Sequence, residues 1–133
     1  MKMKTHLTLE QLESEYWGEP QFHSNVVVTC HKLRRKALRD FKVEDLRTLI
    51  GQGFSLKYMI PLAIEKLNEN ILVEATFYEG DLLMSVIDET CKEYWLENIK
   101  EWKKLKTFIK VKKEFFSDRM FSEIEGKIKF IES

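Results

Sequence analysis

Histidine and cysteine are the side chains of this sequence that most often act as catalytic bases, nucleophiles or metal ligands. The chain has three histidines, His6, His23 and His31, and two cysteines, Cys30 and Cys91. His31 follows Cys30 directly, but adjacent residues on a helix point about 100° apart, so they make a poor catalytic pair. Neither cysteine belongs to a C-x-x-C pair, and isolated cysteines are typical of small buried hydrophobic side chains. These residues therefore predict no paired nucleophile and base, and no metal site.

Sequence motifs of hydrolases and nucleotide-binding enzymes are also missing. The chain contains no G-x-S-x-G, no H-E-x-x-H and no glycine-rich phosphate loop. Gly51 and Gly53 are two isolated glycines and do not make such a loop. We predict that the protein is not an enzyme and that it binds no cofactor. A hydrolase would stay open only if a pocket joined His31 or His23 to a carboxylate.

Charged residues are segregated along the chain, although basic and acidic residues balance at 22 each. Residues 32–39 contain five basic and no acidic side chains, and residues 100–113 contain seven lysines and one glutamate. Between them, residues 67–99 contain eight acidic side chains and one lysine. Such blocks produce a dipolar surface field, which acts on association rates and partner choice rather than on the fold.

The length and composition are typical of a small globular protein. A chain of 133 residues can bury a sizeable core, and we predict one domain over residues 1–133. The opening Met-Lys-Met-Lys-Thr-His does not resemble a signal peptide, and no apolar run approaches the ~20 residues that span a bilayer. We therefore expect a cytoplasmic protein that does not contact membranes.

Helical periodicity dominates the sequence and predicts a mainly α-helical fold, a single compact domain of about six or seven helices with little or no sheet. Thr8 and Gln11 match a capping box that begins the first helix. Ser24 and Ser55 stand at the expected starts of later helices, and either Ser117 or Asp118 is expected to cap the last one. Apolar residues recur at helical spacing in residues 25–36, 43–50, 56–67 and 118–131.

Two further segments carry predictions about the architecture. Residues 92–116 continue an apolar stripe at steps of three, four and one, which predicts one long amphipathic helix. Residues 71–78 have no convincing partner strand, and we interpret them as a connector. Asp81 is predicted to cap the helix that follows this connector, because aspartate is favoured at helix starts.

Tyr16 and Trp17 form a conspicuous aromatic pair before Gly18 and Pro20. We expect both rings to bury area against the following helix, while the glycine and the proline shape the turn. The alternative leaves Trp17 partly exposed as an interface anchor, because tryptophan is enriched among binding hot spots.

Five short segments between residues 9 and 83 have a distinctive order and spacing. They are Glu15–Pro20, Thr29–Lys36, Phe41–Gln52, Leu56–Leu62 and Phe77–Leu83. In this order they resemble one family, the immunity proteins of bacterial contact-dependent growth inhibition systems. The resemblance covers roughly the first two-thirds of the chain and fades after Trp95.

The resemblance implies a non-enzymatic inhibitor that acts in the cytoplasm. Proteins of this kind bind the toxic C-terminal domain that neighbouring sibling cells deliver, and they block it by occupancy. Many toxins of these systems are nucleases, so the implied partner is a nuclease, with an RNase as the first expectation, in a one-to-one complex. The resemblance supplies no residue-level interface.

The acidic middle of the chain is the surface that we expect to meet this toxin. A nuclease must hold phosphates, so its cleft is expected to be basic and to attract carboxylates. Phe77-Tyr-Glu-Gly-Asp81 adds aromatic side chains in a connector, the kind of segment that often carries binding residues. The predicted toxin-binding residues are Tyr78, Glu79 and Asp81 first, and then Glu74, Asp88, Glu89 and Glu93.

The alternative function is a small regulatory or nucleic-acid-binding module that uses the basic runs 32–39 and 100–113. In the second run, Trp102 and Phe108 fall on the apolar stripe, so we expect them to pack in the core rather than to stack on bases. The sequence pI of about 6.8 also lacks the positive excess that is typical of nucleic-acid-binding domains.

Overall fold

The computed structural model describes residues 3–21 and 24–133, and most of the described residues are helical. The α-helices of these ranges are α1 (Leu9–Glu13), α2 (Asn25–Leu33), α3 (Val43–Gly51), α4 (Leu56–Glu69), α5 (Asp81–Val86), α6 (Lys92–Glu97), α7 (Ile99–Val111) and α8 (Asp118–Glu132). Short 3-10 helices lie at Leu38–Asp40, Glu89–Cys91 and Lys113–Phe115.

Extended pairing in the described ranges is limited to two isolated antiparallel bridges, Thr8 with Ala37 and Glu74 with Glu79. The prediction of a mainly α-helical fold with little or no sheet is therefore confirmed. None of the described helices has the length and apolar composition that crossing a membrane requires.

The centre of the fold is α3, which packs against both α4 and α5. Its apolar face contributes Leu46, Leu49 and Ile50, all of which are buried. Full burial of one such side chain stabilises the folded state by about 1.5–3 kcal/mol relative to exposure. A single cluster of buried side chains extends from Leu9 in α1 to Ile131 in α8, so all the helices share one core.

Three of the predicted helix starts have the expected side-chain hydrogen bonds. Thr8 accepts from the backbone N–H of Gln11, whose side chain accepts from the backbone N–H of Thr8 in return, which completes the capping box. Ser24 and Ser117 cap α2 and α8 in the usual way. Ser55 precedes α4 as predicted but makes no capping bond. Its backbone is left-handed, with φ +55°, and its hydroxyl donates to the carboxylate of Glu13 at 3.1 Å.

The prediction of one long helix over residues 92–116 is wrong, because the helix is interrupted at Asn98. Asn98 leaves helical geometry, with φ −129° and ψ 53°, and its side chain donates to the carbonyl of Tyr94. Seven residues of straight helix would separate Trp95 and Trp102 by about 10.5 Å along the axis. After the break their ring centroids lie 5.2 Å apart, and both rings are buried. Packing of two large aromatic rings thus overrides the continuous periodicity.

The predicted burial of Tyr16 is also wrong. Helix α1 ends at Glu13, because Ser14 adopts a left-handed backbone with φ +52°, and the ring of Tyr16 is exposed. Trp17 is half-buried instead, with its ring centroid 5.0 Å from that of His31 and 5.1 Å from that of Phe54. Only one ring of the pair therefore joins the packed structure.

Candidate functional site

Between α4 and α5 the chain forms a compact loop of residues 71–80, which we call the clamped loop. At its start, the side-chain oxygen of Asn70 accepts from the N–H of Leu72 at 3.0 Å. At its end, the N–H of Gly80 donates to the carbonyl of Leu72 at 3.0 Å. The predicted connector is therefore an ordered turn whose two ends are hydrogen-bonded together.

The carboxylate of Asp81 holds the clamped loop from inside. It accepts hydrogen bonds from the backbone N–H groups of Ala75, Thr76 and Phe77 at 2.6, 2.9 and 2.8 Å. Burial alone would raise the pKa of Asp81, but these backbone hydrogen bonds more than offset it, and the pKa lies below its ordinary value. The side chain is therefore a charged acceptor for three consecutive backbone donors.

Asp81 does not cap α5 as predicted. The N-cap residue is Gly80, and Asp81 is the first helical residue, with its side chain turned back to the loop. Because Asp81 is only 2% exposed, its carboxylate is not at the surface in this structure. Its role in the site is to position the loop.

Arg47 on α3 supports the loop from below. Its Nε lies 3.6 Å from a carboxylate oxygen of Asp81, and its guanidinium carbon lies 4.4 Å from the ring centroid of Phe77. A guanidinium at this distance from an aromatic face is attracted by the ring electrons. One face of Phe77 thus rests on Arg47, and the remainder of the ring is exposed.

The outer side of the clamped loop presents aromatic rings and carboxylates. Phe77 is 67% exposed and Tyr78 is 48% exposed. Glu74 and Glu79 are both exposed, and the antiparallel bridge places these two residues opposite each other. No lysine or arginine of residues 3–21 and 24–133 forms an ion pair with either glutamate. Like charges facing each other across a bridge are destabilising, so this arrangement is costly for the fold.

A polar groove of about 440 Å³ borders the loop. The side chains that line it include Tyr78, Asp88, Glu123 and Lys127. Asp88 accepts from the ammonium of Lys127 at 2.8 Å. Burial raises the pKa of Asp88, but the hydrogen bond from Lys127 and the charge of that lysine together outweigh this effect, so the pKa lies below its ordinary value. Because Asp88 is already paired, it is a weaker attractor of a cationic partner than Glu79.

The seven predicted residues therefore divide into groups. Tyr78, Glu74 and Glu79 share the outer side of the clamped loop, and Asp81 holds that loop from within. Asp88 and Glu89 lie at the 3-10 helix that follows α5, where a second depression joins them to Phe130 and Glu123 of α8. The last member, Glu93, is exposed in the first turn of α6 and lines neither depression.

Substituting Gly80 by alanine is expected to lower the free energy of unfolding by about 1–3 kcal/mol, the cost of a left-handed backbone for a residue with a side chain. Gly80 has φ +90°, and an added Cβ would lie 2.6 Å from the terminal carbon of Met120. The matched control is Gly126→Ala in the exposed part of α8, where a Cβ meets nothing within 4 Å and should be neutral or stabilising. Urea denaturation of both variants measures the difference, and equal stabilities would contradict this account of Gly80.

Most basic side chains of the first run, residues 32–39, form ion pairs with acidic side chains of the same protein. Arg34 is buried and paired with Glu13. Lys36 donates to Asp45 at 2.7 Å, and Arg35 is shared between Glu10 and Glu19 at 3.9 and 3.5 Å. Residues 32–39 therefore do not present a continuous cationic surface to a nucleic acid.

The second basic run is a lysine-rich face on a helix whose other side is in the core. Trp102 is buried and Phe108 is half-buried, as predicted, so neither ring is displayed as a platform for bases. The indole N–H of Trp102 donates to Glu132 at 2.9 Å, and Lys106 pairs with the same carboxylate. These contacts connect α7 to the end of α8.

The candidate catalytic side chains are placed in structural roles. Both cysteines are buried as predicted, and burial raises the pKa of Cys91 to about 11, so its thiol stays protonated near neutral pH. The Nδ1 of His31 lies 3.0 Å from the carbonyl of Gly18, beside the ring of Trp17. Across the described residues, no group of three or more histidine, cysteine or acidic side chains is arranged to hold a metal ion. His23 lies outside the described residues.

Sequence reasoning left out four residues that the structure adds to this surface. Phe77 was part of the segment Phe77–Asp81, but its exposure depends on the hydrogen bonds by which Asp81 holds the loop, and no sequence pattern reveals these bonds. Arg47 falls on α3, and nothing in its spacing indicates that it reaches the loop. Glu123 and Lys127 are more than thirty positions from Asp88 and meet it only through the packing of α8.

Comparison with known proteins gives one clear result. Neither the search of curated proteins nor that of solved structures found a match. The sequence profile of the family described as CDI immunity proteins matches residues 11–105, which is more than half of the chain and includes α2 to α6 and the clamped loop. The chain therefore belongs to the family of CDI immunity proteins.

Proposed function

We propose that this protein neutralises the C-terminal toxin domain of a contact-dependent growth inhibition system by binding it one-to-one in the cytoplasm. The toxin is a nuclease, with an RNase as the specific proposal, and the immunity protein acts by occupancy without catalysis. Family membership supports the inhibitory role, and the surface described above supports the nature of the partner.

The observation that carries the proposal is a pair of exposed carboxylates on an ordered loop, neither of which forms an ion pair with a described residue. Glu74 and Glu79 face each other across a bridge although their charges repel. Natural sequences break local rules of this kind mainly at functional sites. A basic phosphate-binding cleft would relieve the repulsion on binding, and complementary charge would also speed association.

The alternative, a nucleic-acid-binding module, has less support from the structure. Three cations of the run 32–39 are engaged with carboxylates of their own chain, and the large rings of the second run face the core. Proteins that bind nucleic acid without sequence preference combine exposed rings with a continuous basic groove. The exposed rings of the clamped loop are accompanied by acids instead.

The decisive test of the function uses the toxin domain encoded by the neighbouring upstream gene. Co-expression of this chain should restore growth to cells that produce the toxin domain. The two proteins should also co-elute as a one-to-one complex in size-exclusion chromatography with light scattering. Continued killing together with separate elution would overturn the proposal.

The charge mechanism has its own test in the double substitution Glu74→Lys and Glu79→Lys. We expect the association rate constant at low salt to fall by about tenfold or more, and its dependence on salt to weaken, because steering is lost. The matched control reverses Glu65 and Glu114, which are exposed and lie outside the clamped loop. Stopped-flow binding at several salt concentrations measures both variants, and equal rates for the two would contradict an acidic contact surface.

A further inference from the structure

The clamped loop combines exposed aromatic rings with exposed carboxylates. Its rings, Phe77 and Tyr78, are largely exposed although large aromatic side chains gain most from burial. Its carboxylates, Glu74 and Glu79, flank these rings along the chain and have no cationic partner among the described residues. Flat rings next to concentrated negative charge are also the chemistry of a short stretch of single-stranded nucleic acid.

The loop is held in this arrangement before any partner arrives. Asp81 fixes the backbone of residues 75–77, and Arg47 supports one face of Phe77 at 4.4 Å. Binding therefore requires little further ordering of the rings, which lowers the entropic cost of association.

Two other exposed rings of the described chain have different surroundings. Phe115 lies against the ammonium of Lys112 at 5.3 Å, and Phe130 lies against that of Lys92 at 4.9 Å. In both places a lysine ammonium lies against the ring. At the clamped loop, Arg47 lies beneath the ring and is matched by Asp81, so that the charges displayed outward are those of the glutamates.

We infer that the clamped loop is a substrate mimic, which places its rings in the base-binding positions of the toxin cleft and its carboxylates in the phosphate-binding positions. This inference rests on the proposed function and adds to it that the partner's contacted surface is a single-strand nucleic-acid cleft with stacking subsites. Aromatic side chains in such a cleft stack on any flat ring, so Phe77 and Tyr78 can replace nucleobases there. Lysine and arginine side chains that hold phosphates can pair with Glu74 and Glu79.

A competition experiment tests the mimicry with the purified toxin domain of the neighbouring gene. The competitor is a mixed-sequence 2′-O-methyl tetranucleotide, which RNases that use the 2′-hydroxyl cannot cut, and inorganic tripolyphosphate serves as a charge control without rings. We expect the tetranucleotide to displace this protein, and tripolyphosphate to displace it much less. Failure of the tetranucleotide to compete, or equal competition by tripolyphosphate, would overturn the inference.

Substitution of the rings provides the second arm. Phe77→Leu and Tyr78→Leu keep apolar area but remove the flat face, and each should weaken toxin binding by about 10- to 100-fold, as loss of a stacked ring does. Phe115→Leu, which removes an exposed ring from another part of the surface, should bind like the wild type. Circular dichroism and denaturation confirm that each variant is folded, and the Tyr78 variant keeps the test valid if the Phe77 variant is not.

The results separate the inference from the function on which it rests. If the wild type binds and protects while both loop variants bind equally well, the mimicry is wrong and the immunity function stands. If the wild type neither binds nor protects, the proposed function fails, and the inference fails with it.

Discussion

Replacement of Glu13 by alanine is expected to lower the free energy of unfolding by about 3 kcal/mol, the lower end of the range for breaking a buried ion pair. The reason is the charge that remains. Arg34 is 2% exposed, and Glu13 is the carboxylate that neutralises it. The guanidinium of Arg34 also contacts the carbonyl of Glu15 at 2.8 Å, the hydroxyl of Ser55 at 3.4 Å and the ring of Trp17 at 4.6 Å. None of these supplies a negative charge, so the variant buries an uncompensated guanidinium.

The matched control for Glu13 is Glu10→Ala, in the same helix. Glu10 pairs with Arg35, which is exposed, at 3.9 Å, so its loss should cost about 1 kcal/mol or less. A double variant, Glu13→Ala with Arg34→Met, removes the buried charge as well and should be more stable than Glu13→Ala alone. Urea denaturation of all four proteins gives the comparison. A double variant that is no more stable than the single one would show that the buried charge is not the cause.

Replacement of Asp81 by alanine should destabilise the protein by about 3 kcal/mol. Hydrogen bonds to a charged acceptor contribute about 1.5–3 kcal/mol each, and Asp81 accepts three of them. The full sum is not expected, because Thr76 and Phe77 are exposed and their N–H groups can be hydrated in the variant. Amide hydrogen exchange of residues 75–77 should accelerate together with the loss of stability. Asp118→Ala is the control, since Asp118 is also the first residue of a helix but is exposed, and it should cost about 1 kcal/mol or less.

The same carboxylate also predicts a dependence of stability on pH. The pKa of Asp81 in the folded protein lies below its ordinary value, which is about 3.9 in an unfolded chain. The stabilisation is therefore fully present above that pH and is lost as the pH falls through the lower pKa of the folded state. Asp81→Asn carries no titrating group at this position, so its stability should fall less between about pH 5 and pH 3. Parallel stability curves for the two proteins, measured by urea denaturation, would contradict this.

Much of the fold could be predicted because helix starts and apolar faces are local signals. The capping box at Thr8 and the serine caps at Ser24 and Ser117 involve residues three positions apart, and the structure contains all of them. The break at Asn98 could not be predicted in this way, since the sequence continues its apolar rhythm through it. Its cause is contact between Trp95, Trp102 and Val86, whose carbonyl accepts from the indole of Trp95 at 2.8 Å.

The candidate site was predictable to the extent that it follows from charge and from loop position. Glu74, Tyr78 and Glu79 are surface residues of an ordered connector, as the pattern indicated. What the pattern could not distinguish is a charge that faces solvent from one that is used internally. Arg34 and Asp81 belong to charge blocks that suggested open surfaces, yet both side chains are buried. Arg34 contacts partners that are distant in sequence, and Asp81 is turned toward the backbone of the loop. Tertiary packing decides that difference, and spacing alone does not record it.

The way in which Asp81 grips the main chain has a consequence for how new specificities can arise. Every amino acid except proline carries the N–H group that this carboxylate needs, so these three hydrogen bonds do not depend on which side chains occupy positions 75 to 77. Exposed side chains on the turn can therefore be exchanged one at a time while these hydrogen bonds stay in place. An immunity protein that evolves together with its toxin can therefore change the exposed side chains of this turn without changes in its core.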